Sequence, residues 1–275
     1  MTLSQRNLLG DRSMRRLLMV LAVLATTLVP CAANAGNIER RVSATHVVRV
    51  CIWPEYYGIT WRNPRTAQLQ GLDIDLSAEF ANDLHAHVQY VESSFTTLID
   101  DLRRERCDVA MFAIGMLPQR MAQLRFSEPY LQSDIYAVTT RSNAVVHAWS
   151  DIDRPGVRVA VQAGTFMEPV MAASLKHAQM VSIKAPATRE RELESGRVDV
   201  FMTDYPYSRR LLDNADWATL VSPPAPFHVL PYGYATTADD DAWGSSVEAF
   251  VQRIKRDGRL DAAARRHGLS TIVVH

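Results

Sequence analysis

The chain has 275 residues, enough for one large domain or for two lobes with separate cores. Its 30 basic and 30 acidic side chains balance, which leaves no electrostatic footprint for nucleic acid. No apolar stretch reaches the length of a comfortable membrane span, and no P-loop, GxSxG, HExxH or CxxC motif appears, so the familiar catalytic constellations are absent.

Residues 1–35 read as an export leader. Arg6, Arg12, Arg15 and Arg16 form a basic n-region, and Leu17 to Val29 is a short apolar run. Ala33-Asn34-Ala35 then supplies an A-x-A cleavage site, which predicts a mature chain starting at Gly36 and a periplasmic location. An uncleaved anchor is the alternative. A lipoprotein reading through Cys31 suffers from Pro30, which stands where a small residue is needed. Cleavage would remove four arginines and one aspartate, leaving 26 basic and 29 acidic residues, a formal charge of −3.

Val47 to Ile52 alternates and is β-branched, predicting a strand that Pro54 and Gly58 break. Leu76, Phe80 and Leu84 share one helical face. His87 to Val91 reads as a second strand. Phe95, Leu98, Ile99 and Leu102 fall at helical spacing, with residues 100–106 on the wet side. Asp108 to Ile114 is nearly all apolar, as expected of a parallel strand covered on both faces. This strand–helix–strand–helix–strand order predicts an α/β lobe with right-handed crossovers.

The order then repeats. Strands are predicted at Val157 to Gln162, Met180 to Ile183 and Val198 to Met202. Helices are predicted at Met167 to Lys176, at Thr188 to Ser195 with Gly196 as the stop, and at Tyr207 to Leu212. Ile135 to Thr139 and His228 to Tyr234 are extended and aromatic, suiting hinge strands between lobes. Two amphipathic helices close the chain, one around Val247 to Ile254 and one over Leu260 to His267, ended by Gly268. The organisation expected is residues 46–135 as the first part of lobe 1, 136–229 as lobe 2, and 230–275 returning to lobe 1.

Cys51 and Cys107 would remain after cleavage, in an oxidising compartment where a pair can close. As parallel neighbours, their strands would offset them by about three residues, ~10 Å. That exceeds the ~7 Å that a disulfide tolerates. The pairing stays open, with the offset arguing against it.

One stretch carries the most functional information: Leu117-Pro-Gln-Arg120, then Phe126-Ser-Glu-Pro-Tyr130, following the third strand and preceded upstream by Gly71-Leu-Asp-Ile-Asp-Leu-Ser-Ala-Glu-Phe80. This order, over about His46 to Leu269, resembles the periplasmic solute-binding proteins of the amino-acid-binding type (family 3). The resemblance implies a two-lobed α/β fold, each lobe a mostly parallel sheet flanked by helices, with the ligand cleft between lobes. It also implies site residues. Arg120 would grip a ligand carboxylate, since a guanidinium offers a planar fork of donors. The alternative is a surface arginine at a helix start. Tyr56 matches an aromatic that stacks on the ligand, and Trp53 stands where an aspartate is usual; otherwise Trp53, Tyr56 and Tyr57 simply pack their loop. Asp204 would pair with a ligand ammonium, or serve as an N-cap. Gly164 and Thr165 would offer amides and a hydroxyl to a carboxylate, or Thr165 would merely cap a helix. Gly115, Leu117 and Phe166 replace hydroxyl residues of the family. Each loss removes a charge-assisted donor worth ~1.5–3 kcal/mol, making the site more apolar.

The function so implied is capture of a small polar solute, an amino acid or related carboxylate or amine, by hinge closure, and its delivery to the membrane permease of an ATP-driven (ABC) transporter. No cofactor, metal or catalytic group is implied; the His85-x-His87 pair lacks a third ligand at suitable spacing. Two alternatives come from other classes. Arg-Val-Cys51 and Cys107-Asp-Val are similar to solute-binding-like accessories of periplasmic quinoprotein dehydrogenases. A few proteins of the fold are dehydratases of prephenate-like acids, for which Glu55 is the nearest acid/base candidate.

Overall fold

A computed structural model describes residues 36–275. The leader reading lies outside the described residues. Among those described, no helix is long and apolar enough to cross a membrane.

Two sheets organise the chain. The first holds β1 (Val47–Ile52), β5 (His87–Glu92) and β6 (Val109–Gly115), with β1 in the middle and parallel to both neighbours. β6 is buried at every position, as its unbroken apolar run requires. Beyond β6 the sheet turns antiparallel: β14 (Leu230–Thr237) pairs with β6, β7 (Leu124–Phe126) and β8 (Leu131–Ser133). The second sheet repeats the plan, with β10 (Arg158–Gln162) parallel to β11 (Gln179–Ile183) and β12 (Val200–Asp204). There β9 (Ile135–Thr140) pairs antiparallel with β12 and β13 (Ala218–Val221). Each sheet is thus parallel in its first three strands and antiparallel in the strands that extend it.

The repetition reaches individual side chains. Arg49 on β1 donates from its amide and guanidinium to Asp108, which precedes β6. Arg158 on β10 does the same to Asp199, which precedes β12. In each sheet a charged pair therefore pins the register of the first and third strands.

Sequence periodicity missed the short elements. A small sheet of β2 (Glu55–Tyr56), β3 (Thr60–Arg62) and β4 (Leu69–Gln70) follows β1. Gly71 then turns the chain into α2 (Leu72–Asp83) at φ +139°; a Cβ there would lie 2.2 Å from the Ile59 carbonyl oxygen. A first helix, α1 (Asn37–Thr45), precedes β1, and its Ile38 amide bonds Asp240 at the start of α8 (Asp241–Asp257). The last helix, α9 (Arg259–Arg266), packs on α2, with Arg259 and Arg266 paired to Asp83 and Asp75.

Three expectations change. Phe95 lies outside helix α3 (Leu98–Arg103), because hydroxyls of Ser93, Ser94 and Thr97 bond one another and the Ser94 amide, holding a turn in place of the helix's first residues. β9 and β14 each belong wholly to one sheet; the crossings fall just outside them, at Asp134 and in the residues before Leu230, and the Ile135 amide bonds the Phe227 carbonyl. Cys51 and Cys107 do form a disulfide, with Cα atoms 5.5 Å apart. A three-residue offset would separate the two cysteines only if Cys107 continued the line of β6. It lies before the strand, where the chain descends from α3, and the Asp108 amide already bonds Arg49.

Candidate functional site

The carboxyl ends of β1 and β6 face those of β10 and β12, and a cavity lies between the two lobes. Its walls include Trp53, Tyr56, Phe95, Arg120, Thr165 and Arg189, with Asp204, Tyr207 and Tyr232. Five of the six residues expected from sequence meet here: Trp53, Tyr56, Arg120, Thr165 and Asp204. Gly164 stands behind the wall and joins through its carbonyl.

Arg120 sits on α4 (Pro118–Met121), a one-turn helix after β6 that Pro118 starts. It is 4 % exposed, which removes the surface-arginine alternative. Its guanidinium lies over the Phe95 ring, 5.4 Å from the centroid. It donates to the Gly115 carbonyl at 3.0 Å and, across the cleft, to the Gly164 carbonyl at 2.6 Å. Gly115 therefore holds the arginine through its backbone. Burial lowers the Arg120 pKa to about 10, still leaving it charged at neutral pH.

Asp204 ends β12 and is 2 % exposed. It caps α7 (Tyr205–Leu212) by accepting from the Tyr207 amide, so the N-cap reading holds together with a place in the cavity wall. Its other oxygen accepts from the Tyr232 hydroxyl at 2.8 Å and from the Tyr56 hydroxyl, both of the opposite lobe. Burial pushes its pKa up, while those three donors hold it down.

The aromatic wall is continuous. Trp53 packs on Tyr56, Phe95 and Tyr207, with ring centroids 5.3–6.4 Å apart. Such a wall accepts flat or apolar groups at low entropic cost. The Gly164-Thr165 loop differs from expectation. The Thr165 hydroxyl and amide both bond the Gln162 carbonyl, and the Gly164 amide bonds Glu168, so these donors are already engaged. The free space in the cavity is ≈ 20 Å³, about the room of one water. Entry of any larger molecule requires the lobes to part and the Arg120–Gly164, Tyr56–Asp204 and Tyr232–Asp204 bonds to break.

Sequence reasoning missed Phe95, Arg189, Tyr207 and Tyr232. Phe95 was assigned to a helix face, and Tyr232 to a hinge strand. Arg189 opens α6 (Arg189–Glu194) behind the capping Thr188 and carries no local signal of burial. Glu55 lies outside the cavity, in a wider opening of ≈ 490 Å³ shared with Glu92 and Lys184. Partial burial and the nearby Glu190 raise its pKa, and Arg189 opposes them.

A family model for bacterial extracellular solute-binding proteins, family 3, matches residues 48–270. The chain belongs to that family. It is 28 % identical over 252 residues to a cyclohexadienyl dehydratase of Pseudomonas aeruginosa, covering 90 % of this chain and 92 % of that protein. It is 24 % identical to a probable histidine-binding protein of Campylobacter jejuni, covering 88 % and 93 %. Among solved structures, an ancestral amino acid-binding protein, a precursor of cyclohexadienyl dehydratase, superposes with a TM-score of 0.75 at 25 % identity, covering 83 % of this chain and 98 % of that one. An amino acid ABC transporter substrate-binding protein of Streptococcus pneumoniae bound to L-arginine gives 0.74 at 19 % identity, covering 85 % and 99 %, a likeness of fold. These neighbours share the type 2 periplasmic binding fold.

Proposed function

We propose that the chain is a periplasmic receptor that closes its lobes on a small polar solute, an amino acid or a related carboxylate or amine, and delivers it to an ABC-transporter permease. One observation carries this reading: Arg120 and Asp204, both buried and from opposite lobes, line one cavity beside an aromatic wall. A carboxylate on Arg120 would replace the Gly164 carbonyl, and an ammonium would share Asp204 with its tyrosines. A solute touching both lobes stabilises the closed arrangement, which is how ligand biases a hinge equilibrium. The hinge would be the two crossings near residues 135 and 229. That assigns 46–135 and 230–275 to one moving body and 136–229 to the other.

The test is thermal shift of residues 36–275 against amino acids, amines and aromatic acids. A hundredfold excess over Kd stabilises by ~2.7 kcal/mol. Arg120→Ala and Asp204→Ala should each abolish the shift while the circular dichroism of the fold is kept. A ligand held equally well by both variants refutes the clamp.

The dehydratase relative favours a second reading, in which a cyclohexadienyl acid is the substrate. Glu55, raised in pKa at the cleft opening, would be the proton donor to the leaving group. Loss of prephenate upon incubation with the chain, and its retention with Glu55→Gln, would establish this activity. No turnover by the native chain removes it.

A further inference from the structure

Arg189 is the feature of the cavity that the clamp does not use. It is 3 % exposed and comes from the second lobe, opposite Arg120. Its guanidinium lies against the rings of Tyr207 at 4.4 Å and Phe201 at 5.1 Å, and one nitrogen donates to the Met202 carbonyl at 2.8 Å. Among the described residues it forms no ion pair and no other hydrogen bond. Arg120 likewise has two carbonyls and a ring, and no carboxylate. These are the two buried arginines among the described residues, and both line the same cavity.

A buried cation without a counter-charge is costly, and proteins pair such groups. Asp204 also lines the cavity, but three donors already hold its carboxylate, and it can balance one arginine at most. Among the residues that line the cavity, two guanidiniums face one carboxylate, an excess of one positive charge with Asp204 ionised; Glu55 and Glu190 lie near Arg189 but outside the cavity wall. A zwitterion with an uncharged side chain would leave that excess in place. A solute with a cationic side chain would increase it. A solute with two carboxylates satisfies both forks, and if it also carries an ammonium on Asp204 the closed cavity becomes neutral.

We infer that the cavity selects a small dicarboxylate, one carboxylate held by Arg120 and the second by Arg189. This rests on the receptor reading and deepens it by assigning the solute's charge. It also separates this chain from the neighbours bound to arginine, since a cationic side chain has no carboxylate to offer Arg189. The cation–π contacts position Arg189, and its remaining N–H groups are the donors left for a ligand.

The experiment is isothermal titration of residues 36–275 with matched pairs: glutamate and glutamine, aspartate and asparagine, succinate and butyrate, with arginine as the cationic control. At least one dicarboxylate should bind about 10- to 100-fold tighter than its monocarboxylate partner, the usual scale for a charge-assisted bond. Arg189→Gln should erase that ratio by weakening the dicarboxylate and sparing its partner, while Arg189→Lys should restore part of it. A monocarboxylate or arginine that binds as tightly as every dicarboxylate overturns the inference and leaves the receptor reading standing. So does an Arg189→Gln variant that weakens both members of a pair equally. Binding by no member of the panel overturns both. If Arg189→Gln fails to fold, the native pair ratios decide alone.

Discussion

Asp73 offers the sharpest test of how the first lobe is held. It lies at the start of α2, is fully buried, and accepts from the Ala113 amide of β6 and the hydroxyls of Tyr130 and Tyr234. Tyr234 shares β14 with Tyr232 of the cavity wall, so one carboxylate ties helix, central strand and return strand together. Burial raises the Asp73 pKa from 3.8 to about 6, against the three donors that lower it. A folded pKa above the unfolded one means that the folded chain binds the extra proton. Its stabilising contribution is therefore full below about pH 4 and lost as pH rises through about 6. At about 1.4 kcal/mol per pH unit, the change is about 3 kcal/mol. Asp73→Asn removes the titration and keeps the shape: its oxygen can accept from Ala113 and Tyr130, and its amide can donate to Tyr234. Other carboxylates titrate in the same range, so the quantity to measure is the stability of the native chain minus that of Asp73→Asn. Urea denaturation of residues 36–275, disulfide intact, would be followed by tryptophan fluorescence between pH 4 and 7. Over that range the difference should shift by about 2.4 kcal/mol in favour of Asp73→Asn as pH rises. Parallel profiles, or a shift of the opposite sign, would refute the assignment of burial as the dominant effect.

Two further predictions concern closure and covalent stability. At Gly164, φ is +76° and an added Cβ would lie 2.8 Å from the Phe95 carbonyl carbon across the cleft, so Gly164→Ala should prop the lobes apart. Ligand affinity should fall at least about tenfold, equal to ~1.4 kcal/mol, with a larger radius of gyration in X-ray scattering; unchanged values for both would show that the loop yields. Cys51 and Cys107 close a loop spanning 56 residues, so a Cys51→Ser/Cys107→Ser double variant should lose about 4 kcal/mol in the loop-entropy treatment. Equal urea midpoints for variant and oxidised parent would mean that the bridge adds nothing to the folded state's advantage.

The sequence by itself carried the repeated βαβαβ order, because β-branched alternation, buried apolar runs and helical spacing are local patterns that survive in one dimension. The family resemblance of its motifs also pointed to Arg120 and Asp204, which lie just after β6 and at the end of β12, where an open α/β sheet directs residues toward its crevice. The short strands β2 to β4, β7 and β8 stayed invisible, since two or three residues show no period and are made strands by their partners. The disulfide was decided by the chain's descent from α3 before β6, a direction that register arithmetic along strands does not contain. Arg189 and Phe95 belong to the same class. A residue opening a helix is as often wet as buried, and what buries Arg189 is Tyr207 and Phe201, a dozen or more positions away. Charge balance in the cavity is a property of side chains from both lobes, so it exists only after the lobes have met.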